Sequence, residues 1–249
     1  MTDFEHTYYS QKGKLLCHSH CNDGEFYFAS DTRENYQNNL KKQPKHWHYR
    51  NKKIYYKHNS QGYRTKEFDE IDWSKSIVVF GCSIVYGVGL AEDETVCYHL
   101  EQITGKPVVN LGAPGSSIAF STYNQVALHE INPEPLAVVN VWTAPERTTY
   151  FEKNQAIDVG PWNSLEHRFQ KMFTIWALCD SNPMGHAWMH RRTCQQLWQK
   201  TLQFECTFFP RLHFDVLKLE AVDQARDLMH PGNKSMYQAA KKIAQGLEL

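Results

Sequence analysis

The stretch IVVFGCSIVYGVGL, residues 77–90, decides how the rest of the chain is read. An unbroken apolar run ends on Gly81, and Cys82 and Ser83 follow side by side. A short continuous apolar run bounded by a turn marks a strand buried on both faces. A glycine at its end lets the backbone leave in a tight turn without a Cβ clash. Two side chains able to act as nucleophiles therefore stand at the carboxyl end of a buried strand. That is where open α/β sheets bind their ligands.

Downstream, apolar runs alternate with helical patterns. DETVCYHLEQITG (93–105) spaces Val96, Leu100 and Ile103 as one helix face, with Asp93 to cap its start and Gly105 to end it. PVVNLG (107–112) reads as a second strand, SSIAFSTYNQVALHEI (116–131) as a helix and PLAVVNVW (135–142) as a third strand. Helices are expected over 164–179 and 186–202, a strand over 204–209, and a terminal amphipathic helix over 234–247. This alternation predicts a parallel sheet covered on both faces, a three-layer α/β/α sandwich. Residues 1–75 read as an appended β-rich segment, packed on or near a core domain of 76–249. Within it, HWHYRNKKIYYKH (46–58) is expected to form a hairpin turning near Asn51-Lys52, and NSQGYR (59–64) a turn.

Composition narrows the function classes. The 249 residues are 41% hydrophobic and 22% charged, which fits a globular chain of one or two domains. Formal net charge is zero, so no overall field draws the protein to nucleic acid or a membrane. No run of 18 apolar residues and no signal-like N-terminus is present, so a cytoplasmic protein with no membrane span is expected. Seven cysteines, an odd and scattered count, are then expected to be reduced thiols.

The chemistry concentrates at the strand ends. A serine just past a buried strand, at a helix start, has backbone N–H groups around it that can hold an anion. Ser83 is placed to attack a carbonyl, or simply to cap the helix. A serine needs a base. Near the C-terminus, ARDLMHPGNKS offers Asp227 and His230 three residues apart, with Pro231-Gly232 breaking the chain before the last helix. The carboxylate can take one imidazole N–H and leave the other nitrogen for the serine proton. Taken alone, an Asp and a His at this spacing can also be ordinary surface residues.

The combination of Gly-x-Ser after the first strand, NLG closing the second, and Asp-x-x-His before the last helix resembles the SGNH (GDSL-like) hydrolase family, over residues 76–247. The resemblance implies a flavodoxin-like α/β/α fold. It implies Ser83 as nucleophile, Asp227 and His230 as acid and base, and the N–H groups of Ser83 and Gly112 as an oxyanion hole. No metal or organic cofactor is implied, and the substrate class is an ester, with O-acylated carbohydrate preferred. Cys82 stands where the family has Asp, a position whose side chain is expected to point away from the serine. The family's third-block Asn has no match, because Asn140 falls inside the apolar run. Thr143 or Arg147 is expected to substitute as the oxyanion donor; Thr143 can also be an ordinary helix cap before Pro145, and Arg147 a substrate contact.

Other clusters carry rival readings. CHSHC (17–21) lacks the second ligand pair that zinc sites use, so no metal site is expected. KKQPKHWHYRNKKIYYKH (41–58) holds seven Lys/Arg and four aromatics without an acid, so it could bind a polyanion or partner. The chain would then be a binding module with a degenerate site; acyl transfer to another hydroxyl is the remaining alternative. Trp162, Trp176, Trp188 and Trp198 fall in an insert that would border the active-site face, some lining a pocket and most packing inward.

Overall fold

A computed structural model describes residues 6–10, 15–18, 23–26, 30–131, 134–152, 155–161, 171, 173–174 and 183–249. Its centre is a parallel sheet of five strands: β3 (Ile77–Gly81), β4 (Val108–Gly112), β5 (Ala137–Trp142), β8 (Leu202–Thr207) and β9 (Leu217–Lys218), in the order β4-β3-β5-β8-β9. Renumbered among themselves these strands run 2-1-3-4-5, the flavodoxin-like order, and the order reverses beside β3. The short edge strand β9 had no sequence signal; two residues are too few for a period.

Alternation along β3 explains the three layers. Ile77 and Val79 join a cluster with Leu100, Ile243 and Leu247, while Val78 and Phe80 join Leu128, Leu111 and Trp198 on the other face. One layer is α3 (Val96–Thr104) packed on α6 (Asn233–Leu247); the other is α4 (Ile118–Ile131) packed on α5 (Pro183–Leu197). Ile77, Val78, Val79 and Phe80 are at most 1% exposed, and each such side chain contributes about 1.5–3 kcal/mol by leaving water. Helix α3 starts two residues later than expected. Glu92–Glu94 is a 3-10 turn, and Thr95, not Asp93, caps the helix by accepting from the Tyr98 N–H at 3.2 Å.

A second, antiparallel sheet has the order β2-β1-β7-β6, with β1 (His6–Ser10), β2 (Leu16–His18), β6 (Thr148–Glu152) and β7 (Gln155–Val159). Thr7 lies opposite Ile157, so the start of the chain pairs with a hairpin inserted between β5 and β8. Asp158 on β7 is 1% exposed.

The basic, aromatic stretch is not the expected hairpin. It is the end of α1 (Arg33–Lys42), a 3-10 turn at His48–Arg50 and extended chain that meets Gly24 only at Tyr56. Arg50 donates to the carbonyls of Leu40, Gln43 and Pro44, which closes the helix end, and Tyr49, Ile54 and Tyr56 drop into the core. Aromatic and charged residues alternated as on a strand, but the burial they serve is tertiary. His48 and Lys52 both reach Glu94, so part of the basic patch is used inside the molecule. The helix expected over 164–179 lies almost wholly outside the described residues, as do Trp162, Trp176 and residues 19–21. Among the described residues no helix is long and apolar enough to cross a membrane, and no cluster of three or more His, Cys, Asp or Glu is arranged to hold a metal ion. Cys82, Cys97, Cys194 and Cys206 are buried free thiols.

Candidate active site

Ser83 opens α2 (Ser83–Tyr86), one turn of helix that leaves β3 immediately after Cys82. The turn is tight because α2 lies on the end of β4. A Cβ on Gly112 would sit 2.3 Å from the Tyr86 nitrogen, so only glycine admits this approach. Ser83 is 7% exposed.

Asp227 and His230 sit on a loop drawn closed at its base. The Ala225 N–H donates to the His230 carbonyl (2.9 Å), the Gly232 N–H donates to the Asp223 carbonyl (2.9 Å), and Gln224 bridges Pro231. Leu228 between them is left-handed at φ 60°, a conformation a branched residue adopts only when its surroundings impose it. That reversal turns Asp227 and His230 toward each other. The Arg226 N–H donates to the Gly89 carbonyl at 3.0 Å, tying this loop to the segment after α2.

The three side chains meet in a line. His230 Nε2 lies 2.8 Å from Ser83 Oγ, and His230 Nδ1 lies 2.6 Å from Asp227 Oδ2. The carboxylate only accepts, so Nδ1 carries the proton and Nε2 is left as the acceptor for the serine hydroxyl. Asp227 Oδ1 accepts from the Met229 and His230 N–H groups, both at 3.1 Å, and Oδ2 also accepts from Ser30 Oγ at 2.6 Å. Burial alone would push the Asp227 carboxyl up. The His230 hydrogen bond and charge, with Ser30 and the Met229 N–H, outweigh it and hold the group below its usual range.

The imidazole faces Ser83, not Cys82. The Cys82 side chain does not turn fully away, however: its sulfur lies 3.9 Å from Ser83 Oγ, and the residue is 1% exposed. Burial pushes its thiol up, but the Arg147 charge and the Ile84 N–H outweigh burial and bring it below its ordinary range.

The remaining expected residues distribute unevenly. The Gly112 N–H donates to Asn110 Oδ1 at 2.9 Å, so it is engaged within its own strand end. The turn that follows is fastened over β3, with the Ala113 N–H (3.0 Å) and Ser116 Oγ (3.3 Å) both donating to the Gly81 carbonyl. This turn holds Gly115 at φ 79°, and among the described residues neither the Gly115 nor the Ser83 N–H enters a hydrogen bond. Gly81 is level with Val141 in the ladder, so the two-residue step that takes β3 to Ser83 takes β5 to Thr143. Thr143 is 3% exposed; its hydroxyl lies on the Cys82 side without a partner at hydrogen-bonding geometry. Arg147 reaches the Ser116 carbonyl at 3.4 Å and stacks on Phe209. Asn140 accepts from the Gln125 side-chain amide, and Gln125 in turn accepts from the buried Trp198. Trp188 stands 56% exposed on α5.

Sequence reasoning missed Ser30 and Gly115. The glycine was visible, three residues past NLG. Ser30 sits in a stretch, SDTREN, that reads only as a helix start.

The sequence matches no protein-family model and no curated protein. Solved structures are similar at low identity. A protein of the G-D-S-L family from Desulfitobacterium hafniense is 10% identical over 69% of this chain and 99% of that one, with a TM-score of 0.45. A member of the lipolytic protein G-D-S-L family from Veillonella parvula is 11% identical over 68% and 96%, TM-score 0.41. A carbohydrate esterase family 2 enzyme with a carbohydrate-binding domain, from Corynascus thermopiles (Myceliophthora fergusii), is 13% identical over 70% and 67%, TM-score 0.40.

Proposed function

We propose that the protein is an SGNH-type serine hydrolase of esters, with Ser83, His230 and Asp227 as its triad. The observation that carries this reading is the unbroken chain of contacts from Asp227 through His230 to Ser83, built from residues 147 positions apart. Ser83 Oγ attacks the acyl carbon while its proton passes to His230 Nε2. The imidazolium gives that proton to the departing alcohol oxygen, leaving the acyl group on Ser83. Water then attacks the acyl-enzyme, with His230 taking its proton and returning it to Ser83 as the acid departs. Asp227 fixes the imidazole tautomer throughout and stays ionised.

The oxyanion is held by the N–H groups of Ser83 and Gly115 and by the Thr143 hydroxyl. Gly115 replaces Gly112 in this role because its N–H is unengaged. Thr143 supplies the third donor in place of the missing asparagine, and a buried hydroxyl with no partner in the resting site is what such a donor looks like before charge develops. Arg147 holds the Gly115 turn through Ser116. Among esters, O-acylated carbohydrates come first, since Trp188 presents an exposed aromatic face suited to a sugar ring.

A serine-directed fluorophosphonate probe tests the reading. Labelling is expected in the wild type and in Cys82→Ala, and is lost in Ser83→Ala. Turnover of p-nitrophenyl acyl esters and acetylated sugars, lost in His230→Ala, then gives the acyl and alcohol preferences. A protein that neither labels nor turns over any of these esters would remove the hydrolase reading.

A further inference from the structure

We propose that Ser30, from the segment preceding the sheet, is a positioning residue of the site, the fourth member of a Ser30–Asp227–His230–Ser83 relay. This rests on the reading of Ser83, His230 and Asp227 as a triad. Ser30 Oγ donates to Asp227 Oδ2 at 2.6 Å, and Oδ2 is the same oxygen that takes His230 Nδ1–H. Both oxygens of the carboxylate are then filled, two donors on each, so one orientation of the carboxyl plane satisfies all four.

Ser30 is held for this task. The Asn35 side-chain amide donates to the Ser30 carbonyl at 2.8 Å, and the next residue, Asp31, receives Arg226 Nε at 2.8 Å and Nη2 at 2.6 Å. Two neighbouring residues thus meet two neighbouring residues: Ser30 with Asp227, and Asp31 with Arg226. Tyr56 OH donates to Asp31 Oδ2 and accepts from the Gly89 N–H at 2.8 Å, and the Arg226 guanidinium lies over the rings of Phe26 and Tyr36. Asn39 donates to the Arg226 carbonyl at 3.1 Å. A serine needed only for packing would not require a clamp on either side of its hydroxyl contact.

The hydroxyl spreads the charge of Asp227 Oδ2 over two donors. Without it, that charge falls on His230 alone, which favours the imidazolium and makes the imidazole a base only at higher pH. The titratable groups that act on this carboxylate are His230 and, at longer range, Tyr49 on the 3-10 turn, while the neighbouring Arg226 and Asp31 neutralise each other. None of these is altered by Ser30→Ala.

The experiment uses the full chain and two independent readouts. Titration of His230 by NMR, without substrate, is expected to give a midpoint about half a unit higher in Ser30→Ala than in wild type. With p-nitrophenyl acetate, kcat/KM is expected to fall roughly tenfold, with its acid limb moved the same way and Ser30→Thr restoring both. An unchanged His230 titration, or a fall in rate with an unmoved pH profile and no rescue by threonine, overturns the proposal. Failure of the triad reading is seen separately, as ester turnover that survives His230→Ala.

Discussion

Two carboxylates, Asp227 and Asp158, are buried to nearly the same depth, 5% and 1% exposed, and end in opposite states. Asp227 receives four donors, one of them an imidazole that can carry charge, and stays below its usual range. Asp158 receives the Thr149 hydroxyl and a long 3.4 Å bond from the Ser117 N–H, and its Oδ2 has no partner. Burial dominates there, against Thr149, Ser117 and the Arg147 charge, and pushes the carboxyl up to about 8. Depth is therefore not what sets ionisation in this protein. The number and kind of donors decide it, and they are gathered where a charge has to be held still.

The sharpest way to break the comparison is to make both side chains amides. Asp227→Asn is expected to lower kcat for ester hydrolysis by about 10⁴, because the amide no longer selects the Nδ1–H tautomer. Asp158→Asn mimics the neutral acid already present at pH 7 and is expected to change kcat by less than about threefold, as a substitution that leaves the reacting groups alone should. Steady-state kinetics of the two variants side by side decides this.

Stability against pH gives the next largest effect. The folded protein holds the Asp158 proton up to about 8, while an unfolded chain loses it near 3.8. Between those values the folded state binds more protons, so this group makes stability fall as pH rises, by on the order of 5 kcal/mol in all. Asp158→Asn is expected to remove that slope, raising Tm most at pH 8–9 and least near pH 5, by calorimetry. Asp227 works the other way. Its depressed value adds stability above the unfolded range, and that stability is lost as pH falls through the folded value.

Smaller effects test what surrounds the two groups. Asp31→Leu strands a buried guanidinium beside Asp227 and is expected to cost about 3–5 kcal/mol in urea denaturation. Thr143→Val removes the proposed third oxyanion donor and should lower kcat roughly 10²- to 10³-fold, with Tm nearly unchanged. An unchanged kcat in that variant would leave the third donor with some other group.

The four longer strands and the helices flanking them were legible because each is a local pattern. Ile77 to Phe80 buries alternate side chains into two layers, and a strand buried twice must read as a solid apolar run. The grouping of Ser83 with Asp227 and His230 was legible at the level of strand ends and one tight loop. What escaped was the contact between residues 30–31 and 226–227, since no period or spacing connects positions almost two hundred residues apart. The hairpin expected at 46–58 misled for a related reason: the inward aromatics there answer to the core, and Arg50 serves the end of α1. Gly112 misled differently. Its glycine is required by the approach of Tyr86, and its N–H is engaged by Asn110 Oδ1.

The pairing of Ser30 and Asp31 with residues 226 and 227 has a consequence for biosynthesis. A ribosome adding roughly 5–20 residues per second needs about 10–40 s to travel between the two dipeptides. For most of that interval, from the addition of residue 83 onward, Ser83 is present without Asp227 and His230. The contacts of Ser83 with His230, and of Ser30 with Asp227, therefore form late, once residues 226–230 have been added.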